Sequence, residues 1–238
     1  MKLAILNDTH CGVRNSSDIF MKYQERFYLD VFFPYLQENG IDQILHLGDY
    51  YDNRKTINIK ALQHNRSIFL DKLREFGIKM DIIPGNHDTF FKNTNELNSL
   101  KELMGHYINE VDIIMDPTVR EYGDVKFGLV PWICPENEKQ CYEFLENCGA
   151  DVIGGHFELS GFEMDAGFVC KDGMDAKPLT KFELVLSGHF HTKSQQGNIH
   201  YLGSQMEFMW SDAHDPKYFH IYDTETRTLT PVQNPLTM

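Results

Sequence analysis

Short apolar runs alternate with polar, turn-forming residues along the first third of the chain. The runs are Lys2–Asn7, Gln43–Leu47 and Lys79–Ile83. A short continuous apolar run bounded by turn residues is typical of a strand that is buried on both faces of a parallel sheet. We therefore predict three buried β-strands in this part of the chain.

Longer stretches with helical periodicity separate and follow these strands. One pattern runs through Phe20 and Leu36, a second covers Ile57–Phe76, and a third extends over Asn93–Met104. Strands that alternate with helices are typical of parallel sheets with crossover connections. The first half of the chain thus reads as β-α-β-α-β.

The second half of the chain has strands at shorter intervals. They are predicted at Val111–Met115, Val125–Val130, Asp151–Gly154, Phe182–Ser187, Ile199–Leu202, Tyr218–Tyr222 and Thr228–Val232. One further helix is predicted at about Pro135–Cys148. The short spacing of the last strands favours hairpins, so the whole pattern predicts one continuous α/β domain.

The composition limits the function classes only in part. The 238 residues are 42% hydrophobic and 24% charged, and no apolar stretch is long enough to cross a bilayer. The five cysteines include no C-x-x-C pair, which argues against a zinc ribbon and fits a reducing cytoplasm. The net charge of −13 disfavours tight nonspecific binding to DNA, although bound divalent ions would neutralise several of the acids.

Polar clusters that close apolar runs are the candidate functional residues. They read Asp8-Thr9-His10, Gly48-Asp49-Tyr50-Tyr51-Asp52, Gly85-Asn86-His87-Asp88, Gly155-His156 and Gly188-His189-Phe190-His191. Ligands of open α/β sheets bind beyond the carboxyl ends of the strands, so clusters scattered along the chain can converge at one edge. Carboxylate and amide oxygens mixed with imidazoles are typical of a pair of first-row divalent ions, which supports phosphoester hydrolysis.

Each cluster alone has an ordinary structural explanation, since Gly-Asp is usually a turn and a lone Gly-His is usually a structural histidine. The clusters taken together make a metal-dependent phosphoesterase the better interpretation. The other histidines are expected to be structural or on the surface, and they are His46, His64, His106, His200, His214 and His220. Core packing is the better interpretation of Trp132, while Trp210 is open between an ordinary loop position and stacking on a base.

The clusters resemble those of the calcineurin-like metallophosphoesterases, whose pattern D-x-H, G-D-x-x-D, G-N-H-D/E, G-H, G-H-x-H is matched between Asp8 and His191. Within that family the chain is similar to the SbcD-type recombination nucleases, in particular those of phages. The segments with this narrower resemblance are Gly48–Lys55, Val130–Cys134, Gly155–Leu159 and Ser187–Thr192. The resemblance implies an α/β fold of the metallophosphoesterase type, a β-sandwich of mixed sheets flanked by helices in four layers, α/β/β/α.

The resemblance also implies two Mn²⁺ ions, with Mg²⁺ as the alternative. One ion would be held by Asp8, His10 and His191, and the other by Asn86, His156 and His189, with Asp49 bridging the two. The mixture of oxygen and imidazole donors without thiolates suits manganese.

The residues that would act on the substrate follow two of these ligands. His87 would assist departure of the leaving oxygen, and Asp52 would hydrogen-bond His87 and orient it. A surface turn is the alternative interpretation of Asp52. Arg54 and Lys55 are candidates for contacts with substrate phosphates, with a solvated helix start as the alternative.

The resemblance further implies DNA as substrate and a protein partner. SbcD-type nucleases usually continue into a DNA-capping domain and helices that grip an SMC-like ATPase. Here we expect a catalytic domain at 1–225 and a short C-terminal strand and tail at 226–238 without a capping domain. Attachment of an SbcC-type ATPase subunit is therefore left open. A homodimer formed through the helices Ile57–Phe76 and Asn93–Met104 is a further expectation, as is a cytoplasmic location, in the host if a phage encodes the chain.

The leading hypothesis is a manganese-dependent DNA nuclease, an exonuclease or structure-specific endonuclease of recombination or repair. The alternative is a phosphodiesterase or phosphatase for small or protein-borne phosphoesters, which the acidic charge favours. Protein phosphatases of the superfamily tend to carry Arg directly after G-D-x-x-D, where this chain has Asn53. A scaffold without catalytic activity is a third hypothesis, and the complete set of polar clusters argues against it.

Overall fold

The structure is a computed structural model that describes residues 1–165 and 167–236. Within these residues two six-stranded sheets form a sandwich, and a separate two-stranded hairpin lies outside it. This arrangement confirms the predicted α/β sandwich of mixed sheets. No helix in the described part of the chain is long and apolar enough to cross a membrane.

The first sheet joins the beginning of the chain to its end. Its strands are β1 (Lys2–Leu6), β2 (Gln43–His46), β3 (Lys79–Ile82), β4 (Val111–Ile113), β13 (Tyr218–Asp223) and β14 (Thr228–Gln233). The spatial order is β14-β13-β1-β2-β3-β4. Strands β1 to β4 are mutually parallel, and β13 runs antiparallel to β1, with Lys2 opposite Asp223.

The second sheet is built from the middle of the chain. Its strands are β5 (Thr118–Tyr122), β6 (Val125–Val130), β7 (Val152–Gly155), β10 (Leu184–Ser187), β11 (Ser194–Gln196) and β12 (Ile199–Tyr201). The spatial order is β11-β12-β10-β7-β6-β5, with parallel strands in the centre and an antiparallel strand at each edge. The separate hairpin pairs β8 (Glu163–Asp165) with β9 (Phe168–Val169).

Most of the helices connect one strand of the first sheet to the next along the chain. They are α1 (18–38), α2 (59–76), α3 (Ser99–Met104) and α4 (Glu138–Asn147), with short 3-10 turns at Gly105–Tyr107, Lys177–Leu179 and Trp210–Asp212. Wide π-type turns interrupt α1 at Phe27–Phe32 and α2 at Arg66–Leu70. In α1 this turn precedes Pro34, which has no N–H to continue the α-helical hydrogen bonds.

Alternate residues of the strands separate the core into layers. In β1, Leu3 and Ile5 pack between the two sheets, whereas Ala4 and Leu6 face the layer formed by α1, α2 and α3. This alternation is the period of two that a pleated strand imposes. On the outer face of the second sheet, Cys141 and Leu145 of α4 pack against Ile153. The layers are therefore helix, sheet, sheet and helix, as predicted.

Most predicted elements are present, and the start of α3 is a correction. The helix predicted over Asn93–Met104 begins at Ser99, because the Asn98 side chain caps it by accepting a hydrogen bond from the Lys101 amide at 3.0 Å. Residues 90 and 97 are instead joined by a main-chain hydrogen bond in a loop. Strands β5 and β11 and the two strands of the separate hairpin, β8 and β9, were not predicted. The segment 226–236 includes β14, which pairs with β13 throughout its length, and the domain boundary after residue 225 stays a prediction.

Candidate metal centre

The polar clusters converge because the strands before them share one edge of the sandwich. The clusters with Asp8, Asp49 and Asn86 follow the parallel strands β1, β2 and β3 of the first sheet. Those with His156 and His189 follow β7 and β10, which are parallel neighbours in the second sheet. The candidate centre therefore lies at the carboxyl edge of the sandwich and takes side chains from both sheets.

Several of these residues have a backbone conformation that side chains other than glycine rarely adopt. The φ angle is 48° at Asp8, 44° at His10, 54° at Asp49 and 87° at His189. Such a conformation costs about 1–3 kcal/mol at each residue and is typical of functional sites. Main-chain hydrogen bonds between the loops hold it in place, since the Asp8 amide donates to Gly48 O at 2.9 Å and the His10 amide to Asp49 O at 3.1 Å.

One donor set contains Asp8, His10 and His191. The Nε2 atoms of the two histidines lie 3.0 Å apart. Asp8 Oδ1 lies 3.9 Å from His10 Nε2 and 3.8 Å from His191 Nε2. All three donor atoms therefore surround one position, and these are the residues that the family resemblance assigns to one ion.

A second donor set contains Asn86, His156 and His189. Asn86 Oδ1 lies 3.0 Å from His156 Nε2 and 2.9 Å from His189 Nδ1. Asp49 belongs to both sets, because its Oδ2 atom is 3.4 Å from His156 Nε2 and 3.8 Å from His10 Nε2. The structure thus brings the seven predicted ligands together, with Asp49 in the position expected of a bridge.

The donor spacing fits divalent ions. Adjacent ligands of an octahedral ion bound at about 2.1 Å lie about 3.0 Å apart, which is close to the imidazole and amide separations in the two sets. Two imidazole nitrogens at 3.0 Å, as in His10 and His191, repel each other unless a proton or a cation lies between them. The chemistry of the donor set therefore matches a pair of divalent metal ions.

Hydrogen bonds orient the ligands from behind. His156 Nδ1 lies 2.7 Å from Leu47 O, so the ring donates there and turns Nε2 toward Asp49. The Asp8 carboxylate accepts hydrogen bonds from the Asn7 side-chain amide at 2.6 Å and from the His189 main-chain amide at 2.9 Å. These contacts fix the directions of two candidate donor atoms, His156 Nε2 and Asp8 Oδ1.

Burial and the local charges give the histidines different protonation. Burial lowers the pKa of His189 to about 3, so this ring is neutral and has a free lone pair at neutral pH. Burial also disfavours protonation of His156, but the adjacent Asp49 carboxylate outweighs it and raises the pKa of His156 to about 9. A divalent ion that binds His156 must therefore displace a proton.

The role predicted for the Asp52 side chain is corrected in its geometry. His87 Nδ1 donates to the main-chain carbonyl of Asp52 at 2.6 Å, so the chain at this residue orients the ring without using the carboxylate. The Asp52 carboxylate instead lies 3.3 Å from His10 Nδ1. The tight turn of the loop after β2 brings the Asp52 carbonyl to His87 and leaves the Asp52 side chain facing His10, a candidate ligand.

His87 lies inside the cluster. One of its ring nitrogens shares a group of donor atoms with His10 and Asp49, and its amide donates to Asp49 Oδ1 at 2.7 Å. Arg54 is half-buried and Lys55 is exposed, with the Lys55 ammonium 5.8 Å above the Phe90 ring. Among the described residues, neither of these two side chains is paired with a metal-centre residue.

Asp88 was assigned no role from the sequence, and core packing was the wrong interpretation of Trp132. Asp88 is fully buried and accepts hydrogen bonds from the amides of Tyr50, Tyr51 and Gly85, which ties the loop after β2 to the loop after β3. Its place at the end of the Gly85-Asn86-His87-Asp88 cluster was the signal available. Trp132 is half-buried, with its ring 5.4 Å from that of His189, so it lies beside the metal centre and outside the hydrophobic core.

Comparison with known proteins agrees with this geometry. Residues 1–193 match the family model for calcineurin-like phosphoesterases, and the chain belongs to that family. A curated relative, exonuclease subunit 1 of Enterobacteria phage T4, is 33% identical over 226 residues, covering 95% of this chain and 66% of the relative. The chain thus spans about two thirds of that relative's length. The family and this relative confirm the predicted resemblance, and the family confirms the enzyme class, a metal-dependent phosphoester hydrolase.

A solved structure shows the same fold. A protein of Thermus thermophilus superposes with a TM-score of 0.56 at 11% identity, and the match covers 98% of each chain. At this identity the likeness concerns the architecture of the sandwich alone.

Proposed function

We propose that this chain is a manganese-dependent DNA nuclease, acting as an exonuclease, a structure-specific endonuclease or both. The main support is the pair of donor sets that share Asp49, each with an imidazole nitrogen within 3.8 Å of its Oδ2 atom. When bound, two ions supply a water of lowered pKa and neutralise charge at the phosphorus. The imidazole ligands favour Mn²⁺ over Mg²⁺, which prefers oxygen ligands alone.

His87 is proposed to assist the leaving oxygen. Its Nδ1 atom is used by the Asp52 carbonyl, so Nε2 is the atom left to hold a proton for the departing 3′ or 5′ oxygen. The fixed ring needs no reorientation during the reaction. Arg54 and Lys55 follow Asp52 in the same loop, and we propose that they contact phosphates further along the substrate.

DNA is proposed as the substrate because the curated relative is an exonuclease subunit. Because that relative is one subunit of an exonuclease, we propose that this chain also has a protein partner, an SbcC-type SMC-like ATPase. We also propose that the chain forms a homodimer through α2 and α3. The proposed pathway is recombination or repair. The proposed location is the cytoplasm, that of the host if a phage encodes the chain. The catalytic domain is proposed to cover residues 1–225.

A second candidate is a phosphodiesterase or phosphatase that acts on small or protein-borne phosphoesters with the same centre. The observation that favours it is the net charge of −13, which would repel a DNA backbone wherever bound ions do not neutralise it.

The deciding experiment compares the hydrolysis of DNA oligonucleotides in Mn²⁺ and in Mg²⁺ with that of bis-p-nitrophenyl phosphate. Cleavage of DNA in Mn²⁺ is expected. Hydrolysis of the small ester while DNA stays intact would contradict the nuclease and favour the second candidate.

Two neighbouring variants separate the proposed roles. Asn86→Ala removes a ligand and is expected to lose one ion, as counted by equilibrium dialysis and mass spectrometry, together with nearly all activity. His87→Ala is expected to keep both ions and yet be slower by about 10²- to 10⁴-fold. Loss of metal from His87→Ala would show that His87 is a ligand and would overturn this division of roles.

A further inference from the structure

An apolar groove lies next to the metal centre and has no role in the mechanism above. Its volume is about 550 Å³, and its walls include Arg14, Ser17, Phe20, Phe208, Met209 and Trp210. Trp210 is 94% exposed, the largest exposed fraction among the large apolar side chains described. Together with Met209, which is 42% exposed, the indole forms an apolar patch of the kind found at interaction sites. We call this feature the Trp210 groove.

One side chain, Phe208, lies between the Trp210 groove and the candidate metal centre. Phe208 forms part of the groove wall, and its ring centroid lies 5.3 Å from that of His10 and 5.5 Å from that of His191. Both histidines belong to the first donor set. A molecule held at the phosphorus by that set would therefore have its adjacent part at the mouth of the groove.

The loop with Trp210 is fixed by a buried ionic network. The Asp212 carboxylate accepts hydrogen bonds from the amides of Phe208 and Met209 at 2.8 and 2.9 Å. The Lys217 ammonium donates one hydrogen bond to Asp212 Oδ1 at 3.1 Å and another to the main-chain carbonyl of His191 at 3.0 Å. The indole is thus presented by a loop that is anchored to a metal ligand.

The opposite wall is shaped by an unusual turn after His10. Arg14, Asn15 and Ser16 have φ angles of 54°, 57° and 60°, so three successive non-glycine residues are left-handed, at a cost of about 1–2 kcal/mol each. The turn places Arg14 so that its Nε donates to Phe208 O at 2.7 Å. A guanidinium therefore lies at the junction of the groove and the centre. A carboxylate of the wall, Glu207, accepts a hydrogen bond from Tyr23 at 2.7 Å.

We propose that the Trp210 groove binds an unpaired base of the nucleic-acid substrate, with the indole stacked on the base and Arg14 beside its phosphate. This inference rests on the proposed DNA nuclease function and adds a preference for single-stranded or frayed ends. Aromatic stacking recognises every base, because each has a π-face, and a nearby cation suits the connecting phosphate. A protein segment would need neither the proximity of the groove to the metal centre nor the Arg14 guanidinium beside Phe208.

The test uses an oligothymidylate and an abasic oligomer with the same backbone and length. Affinity is measured at low salt with Ca²⁺ in place of Mn²⁺, from the quenching of tryptophan emission and by fluorescence anisotropy of a labelled strand. Wild-type protein is expected to prefer the base-bearing oligomer. Trp210→Ala is expected to lower that preference by about 5- to 150-fold, which corresponds to the stacking of one base. Trp210→Phe keeps an aromatic face and should restore most of it.

Ile108→Ala is the matched control, since Ile108 is 77% exposed and lies just before β4, at the amino edge of the first sheet. It should leave the preference unchanged. An equal loss of affinity for both oligomers in Trp210→Ala, or no loss, would overturn the stacking role. A change in oligomeric mass of Trp210→Ala without any change in preference would identify the groove as an interface between copies and would also overturn it.

The same experiment distinguishes this inference from the proposed function. Quenching of Trp210 by the base-bearing oligomer, without cleavage when Mn²⁺ is added, would overturn the nuclease and keep the base site. Cleavage of DNA without a preference for the base-bearing oligomer would overturn the base site and keep the nuclease. Absence of any binding or cleavage of DNA would overturn both.

Discussion

Replacement of Lys217 by Met is expected to destabilise the protein strongly. Lys217 is 4% exposed, and its ammonium lies 2.8 Å from Asp215 Oδ2 and 3.1 Å from Asp212 Oδ1. Methionine fills a similar volume but leaves the Asp212 carboxylate, which is 2% exposed, without its cation. Removal of one partner of a buried ion pair costs about 3–5 kcal/mol, mostly because the remaining charge stays buried.

The magnitude can be checked by unfolding in urea with EDTA present, so that metal binding does not contribute. For a chain of this size a loss of 3–5 kcal/mol corresponds to a decrease in Tm of about 6–20 °C. The carbonyl of His191 also loses a hydrogen bond, so the variant should bind Mn²⁺ more weakly. This second effect links stability to the metal centre.

Two further variants show whether the buried charge is the cause. Lys139→Met removes an exposed ammonium that is 3.7 Å from Glu143, and it should change the free energy of unfolding by less than about 1 kcal/mol. Asp212→Asn added to Lys217→Met removes the unpaired charge and should recover part of the loss. The reasoning is refuted if Lys217→Met costs less than about 1 kcal/mol or if the double variant is no more stable than the single one.

Three other predictions concern the centre and the core. Gly85→Ala would place a Cβ atom against Asp49 Oδ1 and the Asp49 amide, so metal counting should show loss of bound ions; full occupancy would contradict this. The affinity for Mn²⁺ should rise with pH between 6 and 8, because the pKa of His156 is about 9 without metal and the ring must release a proton to bind an ion. A constant affinity in calorimetric titrations over this range would exclude this coupling. Burial lowers the pKa of His220 to about 3, against about 6.5 when unfolded. The contribution of the neutral His220 ring to stability is therefore complete above pH 6.5 and declines as the pH falls toward 3. Between pH 7 and 5 the free energy of unfolding should fall by about 2 kcal/mol more in wild-type protein than in His220→Phe. Equal losses in urea unfolding would refute this.

Strands in the interior of the sheets could be predicted from the sequence, whereas the two edge strands of the second sheet could not. The central strands β1, β2 and β10 are almost entirely buried and appear as continuous apolar runs. The strands β5 and β11 form the two edges of the second sheet and have mostly half-buried or exposed residues. Neither of these two strands has a buried face whose hydrophobic pattern would distinguish it from a loop.

The candidate ligands could be predicted because metal chemistry restricts side-chain types and strand ends restrict their positions. The contact between the Asp52 carbonyl and His87 could not be predicted, since every residue has a carbonyl and its direction depends on the turn. The pair of Lys217 and Asp212 was missed for another reason. It lies more than twenty residues after the last ligand, His191, and acts on it through the main chain.

The division of the ligands between the two sheets has a consequence for biosynthesis. The donors extend along the chain from Asp8 to His191, and β1 gains its neighbour β13 only when Tyr218–Asp223 has been made. Proteins are synthesised from the amino terminus, and contacts distant in sequence form last. A nascent chain on the ribosome therefore holds half of a metal site long before the other half exists. An incomplete translation product that stops before residue 189 would lack His189 and His191 and would be unable to assemble either donor set.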